Sequence, residues 1–342
     1  MIGIGIIGYG YWGPNLARAV SETEGLALRM VADLSPAARA RVEQRHPATR
    51  TTGDWRSLVT DPRVDAVIVA TPVSTHFEFA RAALEAGKHV LVEKPMTDSP
   101  ASSAILIDEA ARRSLTLMVD HTFVYTPAVR TIADLVGSGE LGDVYYYDAT
   151  RVNLGLFQRD VSVLWDLAVH DFAIMDHILP SRPVAISASG ASFVPNSPVN
   201  MAHLSVFFDD GAMAHLNVNW LAPVKLRQTL IGGSRRMIIY DDLQPSEKVK
   251  IYDRGVSLRA GQIASHEHRV SYRIGDMSAP ALPTREALLT ELEEFARCIE
   301  SGARPVTDGA CGLRVVDMLA TATRSMTLRG QPVELGPERL AS

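Results

Sequence analysis

A chain of 342 residues with 46% hydrophobic content is long enough for two globular domains, each with a buried core. Its net charge of −5 supplies no basic field for nucleic acid or acidic membranes, and neither is expected as a partner. The two cysteines, Cys298 and Cys311, lie in segments of helical periodicity, which argues against a disulfide framework or a thiolate metal site and fits a reducing, cytoplasmic setting. The apolar start, residues 1–7, lacks a basic leader and is interrupted by Gly3, Gly5, Gly8 and Gly10, so neither a signal peptide nor a membrane span is expected.

In chain order, the apolar run Ile2 to Ile7 leads into Gly8-x-Gly10-x-x-Gly13, and Pro14 and Asn15 then open a helical stretch. In this context the first glycine permits a tight turn, the second lets backbone approach a pyrophosphate, and the third lets helix pack on strand. A second apolar run, Leu26 to Ala32, ends in Asp33, where a carboxylate accepts hydrogen bonds from both ribose hydroxyls of NAD and repels the 2′-phosphate of NADP. Helices from Pro36 and Thr75 alternate with strands at Ala66 to Ala70 and His89 to Val92, and a further helix, Ser99 to Arg113, precedes a strand at Thr116 to Val119. This alternation predicts a doubly wound parallel sheet of the Rossmann type. Thr71 and Pro72 are expected to line the cofactor crevice, while His76 reads equally as a cofactor contact or an ordinary helix-start histidine. The run Val90 to Val92 delivers Glu93 and Lys94 to the carboxyl end of a buried strand, the edge that faces the ligand in open parallel sheets.

The first domain is expected to span 1–122 and the second 123–342. From Val144 the strands lengthen and lose their intervening helices. Val144 to Val152, Ala185 to Phe193, Ala202 to Phe208, Ala212 to Trp220, Leu226 to Gly232 and Met237 to Tyr240 predict an open, mainly antiparallel sheet in an α+β domain. One helix, Leu164 to Leu179, interrupts them. Residues 255–283 show no regular pattern, and two amphipathic helices, Thr284 to Glu300 and Cys311 to Leu328, close the chain.

Asp166 and His170 stand four apart on the predicted helix, a spacing that puts both on one face. A carboxylate there can orient an imidazole, which titrates near neutrality and suits a general base taking a proton from a hydroxyl. The same spacing equally describes a surface pair worth only ~0.3–0.5 kcal/mol. Lys94, facing the same crevice, would stabilise a developing alkoxide. His177 follows seven positions after His170, but no companion ligands accompany it and no metal is expected. His266 and His268 read as solvent-facing. Arg151 and Asn153, at the end of a strand near the same helix, offer a fork for an anion and an amide for a sugar hydroxyl or acetamido group, although Arg151 reads almost as well as a solvated strand end.

The chain resembles the glucose-fructose oxidoreductase, inositol dehydrogenase and rhizopine-catabolism (Gfo/Idh/MocA) family nearly end to end. The resemblance rests on Gly8-x-Gly10-x-x-Gly13, on Ala70-Thr71-Pro72 with Thr75-His76, on Glu93-Lys94-Pro95, and on Asp166-x-x-x-His170-Asp171. It implies Lys94, Asp166 and His170 as catalytic residues, with histidine where other members carry tyrosine. With the residue readings above, the expected cofactor shell is Gly8, Gly10, Tyr11, Trp12, Gly13, Asp33, Thr71, Pro72, His76, Glu93, Lys94 and Trp165, and the expected substrate shell is Lys94, Arg151, Asn153 and His170. Residues 8–15, 165–171 and 225–227 look like a branch acting on nucleotide-linked sugars. Association into homodimers or homotetramers through the open sheet of the second domain is a further implication. The expected activity is an NAD-dependent sugar oxidoreductase, with a free sugar or inositol as the alternative substrate. A non-catalytic NAD or sugar sensor of the same fold is the competing class. Retention of Lys94, Asp166 and His170 together favours the enzyme, because a sensor has no need of an acid/base pair.

Overall fold

The computed structural model describes residues 1–155, 157, 161–258 and 270–336. The chain divides into two compact units, Met1–Thr126 with Arg285–Ala320, and Pro127–Thr284 with Thr321–Gly336. The first begins with β1 (Ile2–Ile7), α1 (Gly13–Glu22), β2 (Leu26–Ala32), α2 (Pro36–Arg45), β3 (Arg50–Thr52) and α3 (Trp55–Val59). It continues with β4 (Ala66–Val69), α4 (His76–Glu85), β5 (His89–Glu93), α5 (Pro100–Arg113) and β6 (Leu117–Asp120). The six strands pair in parallel in the order β3-β2-β1-β4-β5-β6. β1, β4 and the Val90–Val92 run of β5 are buried throughout, which is why these strands read as continuous apolar runs rather than alternations. The order in which strands are added reverses between the parallel neighbours β1 and β4, and the carboxyl ends of those two strands form the switch point at which open α/β sheets bind ligand.

The second unit begins with α6 (Pro127–Gly137) and β7 (Val144–Leu154). A π-helical turn, Leu164–Ala168, runs into α7 (Val169–Ile178). Then come β8 (Pro183–Ala191), β9 (Met201–Phe208), β10 (Met213–Asn219), β11 (Leu221–Gly233), β12 (Met237–Asp241), β13 (Val249–Leu258) and β14 (Val270–Ser278). The chain closes with α8 (Ala287–Ser301), α9 (Gly309–Thr327) and β15 (Val333–Glu334). Nine strands form one sheet in the order β14-β13-β12-β11-β7-β10-β9-β8-β15, antiparallel except where β10 runs parallel to β7. Alternation along β9 and β10 buries Ala202, Leu204, Val206, Ala214, Leu216 and Val218 on one face and leaves His203 and His215 on the other.

Both predicted sheets are present, and three features depart from the expectations. Within 255–283, residues 255–258 and 270–278 are not irregular but belong to the antiparallel pair β13–β14. His266 and His268 lie outside the described residues. The predicted helix from Leu164 is split by the π turn, so a continuous α-helical stagger does not relate Asp166 to His170. α8 and most of α9 also pack with the first unit, where a break at 122 would have assigned them to the second. Their attachment is specific. Val119 N–H donates to the Thr307 carbonyl at 2.8 Å, the Thr307 hydroxyl returns a bond to the Val119 carbonyl at 2.8 Å, and Tyr125 Oη lies 3.0 Å from Thr307 Oγ1.

Candidate active site

In the first unit the glycine loop is shaped by contact. Gly8 has φ +99°, and a Cβ on it would come within 2.3 Å of the Ala70 carbonyl oxygen. A Cβ on Gly13 would meet the Gly8 carbonyl oxygen at 2.7 Å, so helix α1 packs against the turn only because no side chain intervenes. Gly10 differs: nothing lies within 4 Å of where its Cβ would be. That open, exposed backbone at the start of α1 is the cradle a pyrophosphate requires, and a side chain would fill it. Tyr11 is 86% exposed beside it.

Asp33, just past β2, accepts the Tyr9 N–H at 2.7 Å on one carboxylate oxygen and the Ser35 N–H at 2.7 Å on the other. Each oxygen keeps a second lone pair for a ribose hydroxyl. Arg39 folds back from α2 and donates to the main-chain carbonyls of Asp33 and Leu34 at 2.7 and 3.1 Å. Arg41 donates to the Tyr9 carbonyl at 3.2 Å. Both guanidiniums are thus engaged by backbone at the end of the crevice where an adenosine would lie.

Thr71 and Pro72 follow β4 and stand at the same carboxyl edge as Glu93 and Lys94. His76 does not line the crevice. It is 1% exposed, with Nδ1 2.9 Å from the Pro95 carbonyl and Nε2 2.8 Å from the Thr71 carbonyl, and it braces the two loops from behind. Burial, helped by nearby Lys94, holds its imidazole below the ordinary value although both carbonyls pull the other way. A cofactor contact by His76 is therefore replaced by a supporting role. Glu93 receives the Lys94 N–H at 3.2 Å on Oε2, and burial beside Asp120 pushes its carboxyl well above the usual range.

In the second unit, the π turn carries Trp165 and Asp166, and His170 follows in the first turn of α7. The fully buried Trp220, between β10 and β11, donates its indole N–H to Asp166 Oδ2 at 3.2 Å. Phe157 packs edge-on to Trp220 with ring centroids 5.6 Å apart. Trp165 is bound at 3.0 Å through its indole N–H to the Thr323 hydroxyl. Asn153 Oδ1 is buried and finds no hydrogen-bond donor among the described residues, so a donor from outside would satisfy it.

Arg151 departs from expectation. It is 5% exposed and forks onto Asp171, Nε to Oδ2 at 2.8 Å and a terminal nitrogen to Oδ1 at 3.1 Å. Burial opposes its charge, and the Asp171 carboxylate outweighs that burial. Arg151 is spent on locking α7 to β7, one residue from His170, and does not present an anion fork. Spacing alone could not reveal this, because it shows Asp171 only as the neighbour of His170. Among the described residues no cluster of His, Cys, Asp and Glu is arranged to hold a metal, and no helix is long and apolar enough to cross a membrane.

Comparison with known proteins shows the family of the chain. Residues 2–121 match a family model described as an oxidoreductase family with an NAD-binding Rossmann fold, and residues 129–239 match the GFO/IDH/MocA C-terminal domain. UDP-N-acetylglucosamine 3-dehydrogenase of Acidithiobacillus ferrooxidans is 28% identical, over 91% of this chain and 93% of its own, and its solved structure superposes with a TM-score of 0.79. The scyllo-inositol 2-dehydrogenase (NAD(+)) of Bacillus subtilis is 25% identical, over 99% and 96% of the two chains. A levoglucosan dehydrogenase solved with NADH shares the fold, with a TM-score of 0.83 over 98% of this chain and 99% of that one at 21% identity. With both halves matched by models of one family, the chain belongs to the Gfo/Idh/MocA oxidoreductases and is an NAD-dependent enzyme.

Proposed function

We propose that this enzyme interconverts a ring hydroxyl and the corresponding ketone on a nucleotide-linked sugar. The observation that carries the hydride chemistry is Lys94 at the carboxyl end of β5, on the same edge of the sheet as the open Gly10 cradle. When bound there, NAD accepts or returns the hydride. The residues of this chain handle the proton and the charge. Lys94 donates a hydrogen bond to the reacting oxygen and stabilises alkoxide character. His170 takes the hydroxyl proton, and Asp166, its carboxylate fixed by the Trp220 indole, supports the imidazolium that forms.

The substrate class is supported by the similarity to the UDP-N-acetylglucosamine 3-dehydrogenase and by the Asn153 amide oxygen, which has no donor among the described residues and is an acceptor suited to an acetamido N–H or a sugar hydroxyl. Similarity to the scyllo-inositol dehydrogenase favours a free polyol as the second reading. Steady-state NADH formation with UDP- and dTDP-sugars, set against myo-inositol and glucose, tests the choice. A nucleotide sugar should give the highest kcat/KM, and a free polyol equalling or exceeding every nucleotide sugar overturns the proposal. The same reading seats a second copy of this chain on the outer face of the nine-stranded sheet, where His203, Ser205, His215 and Asp148 stand on adjacent strands around a concavity of about 300 Å³.

A further inference from the structure

Within the first unit, the glycine loop is tied to the far side of its own sheet. Trp12, in the loop after β1, donates its indole N–H to Asp120 Oδ2 at 3.2 Å, and Asp120 is the last residue of β6. In strand order β4 and β5 lie between them, so the indole reaches across the carboxyl ends of the strands that carry Thr71 and Lys94. The other Asp120 oxygen takes the Thr122 hydroxyl at 2.5 Å. Asp120 is 2% exposed, and no cation is paired with it among the described ion pairs.

Glu291 of α8 stands behind this bond. It is completely buried, its carboxyl faces those of Asp120 and Glu93 and the Thr122 hydroxyl, and neither of its oxygens closes a hydrogen bond of ordinary length with a described residue. Tyr125 faces it from the turn after β6, and the charge of nearby Lys94 favours the ionised form of Glu93. Three carboxyls, Asp120, Glu93 and Glu291, face one another here with Lys94 as the nearby cation, and they cannot all carry charge. Each Asp120 oxygen takes a closed hydrogen bond, from Trp12 and from Thr122, whereas neither Glu291 oxygen closes one with a described residue. The proton therefore sits on Glu291, whose burial and acidic neighbours push it well above the usual carboxyl range.

We propose that Glu291 is a positioning residue: as a neutral acid pointing its proton at Asp120, it keeps that carboxylate available to the Trp12 indole and so fixes the glycine loop that receives the cofactor. The mechanism above makes no use of Glu291. The inference rests on NAD binding at the glycine loop, and its test is readable without cofactor.

The full chain would be prepared as wild type, Glu291→Gln, Glu291→Leu, Asp120→Asn and Trp12→Phe. Subtracting the Trp12→Phe spectrum isolates Trp12 emission in the cofactor-free protein, and NADH titration gives Kd. The leucine variant places an apolar side chain in the apolar stripe of α8 between Leu288 and Phe295, so it should fold and melt no lower than wild type. It should nevertheless red-shift Trp12 emission and weaken NADH by about tenfold, the scale of one hydrogen bond to a charged group. Glu291→Gln keeps a neutral donor and should behave as wild type in both readouts, and Asp120→Asn should match the leucine variant. A purely structural role for Glu291 would leave Trp12 emission unmoved in the leucine variant. Wild-type emission and NADH affinity in Glu291→Leu, or equal impairment in Glu291→Gln, overturns the proposal. A wild-type chain that fails to bind NADH would instead count against the cofactor reading, while Trp12 emission still decides this one.

Discussion

At the scale of single residues, cofactor choice turns on Asp33. Its carboxylate accepts two backbone N–H groups and retains capacity for ribose hydroxyls, while Arg39 and Arg41 are occupied by main-chain carbonyls. Dissociation constants should favour NAD over NADP, and Asp33→Ala should narrow that gap; equal binding of the two cofactors by wild type would refute the assignment. Lys94→Met and His170→Ala are each expected to lower kcat by ~10²–10³ with cofactor affinity held within a few-fold. Stopped-flow single turnovers measure this, and near wild-type turnover in either variant removes that residue from the chemistry. The buried acid of α8 also predicts a pH dependence of stability. Its carboxyl is raised in the fold, so its full contribution is present below the ordinary glutamate value of about 4.3 and is lost as pH rises toward the folded value. Melting curves from pH 5 to pH 8 should therefore show wild type losing more stability than Glu291→Gln. Parallel slopes would mean that Glu291 is ionised in the native state. The glycines, Asp33 and Lys94 were legible in sequence because each sits at a fixed offset from a strand end. Glu291 left a fainter signal, a lone acid within the stripe formed by Leu288, Leu292 and Phe295. His76 and Arg151 misled because burial, which decides their roles, is invisible to spacing.

At the scale of elements, the π turn and its two anchors deserve to be taken together. Trp220 holds Asp166 on one side of the turn, and Arg151 holds Asp171 on the other, with His170 between them. Removing one partner of a buried ion pair strands the other charge, so Arg151→Met should cost ~3–5 kcal/mol in denaturant unfolding. The double change Arg151→Met with Asp171→Leu should recover most of that loss, because no charge is then left buried. A single variant as stable as wild type would show that the pair contributes little. The sequence signalled a helix here, but not its π geometry, since one wider turn leaves the apolar periodicity of α7 almost unchanged. The β13–β14 pair escaped notice for a different reason. Tyr272, Ile274 and Met277 are exposed, so neither face of β14 reads as a buried one.

At the scale of the whole molecule, both sheets were readable because their periods differ. Continuous apolar runs mark the parallel sheet, and strict alternation marks the mixed one. If a second copy covers the outer face of the larger sheet, Ser205→Arg, at the centre of that face beside His215, should shift the mass measured by light scattering toward the monomer. An unchanged mass would direct the search to another surface.

The first unit is made from two stretches far apart in sequence, Met1–Thr126 and Arg285–Ala320, with β6 bonded to Thr307 and α8 supplying the acid behind Asp120. A ribosome therefore releases β1 to β6 long before the segments that finish their packing, and the second unit emerges in between. Synthesis order and folding order part company here, since closing such a long loop adds sequence-distant contacts that slow folding. A nascent chain halted after residue 284 should leave its amino-terminal half sensitive to protease, and one extended past residue 320 should become resistant. The same logic places engineered breaks: a nick between the last helices and the rest would unseat the dinucleotide unit, although its nucleotide-binding motifs all lie before residue 95.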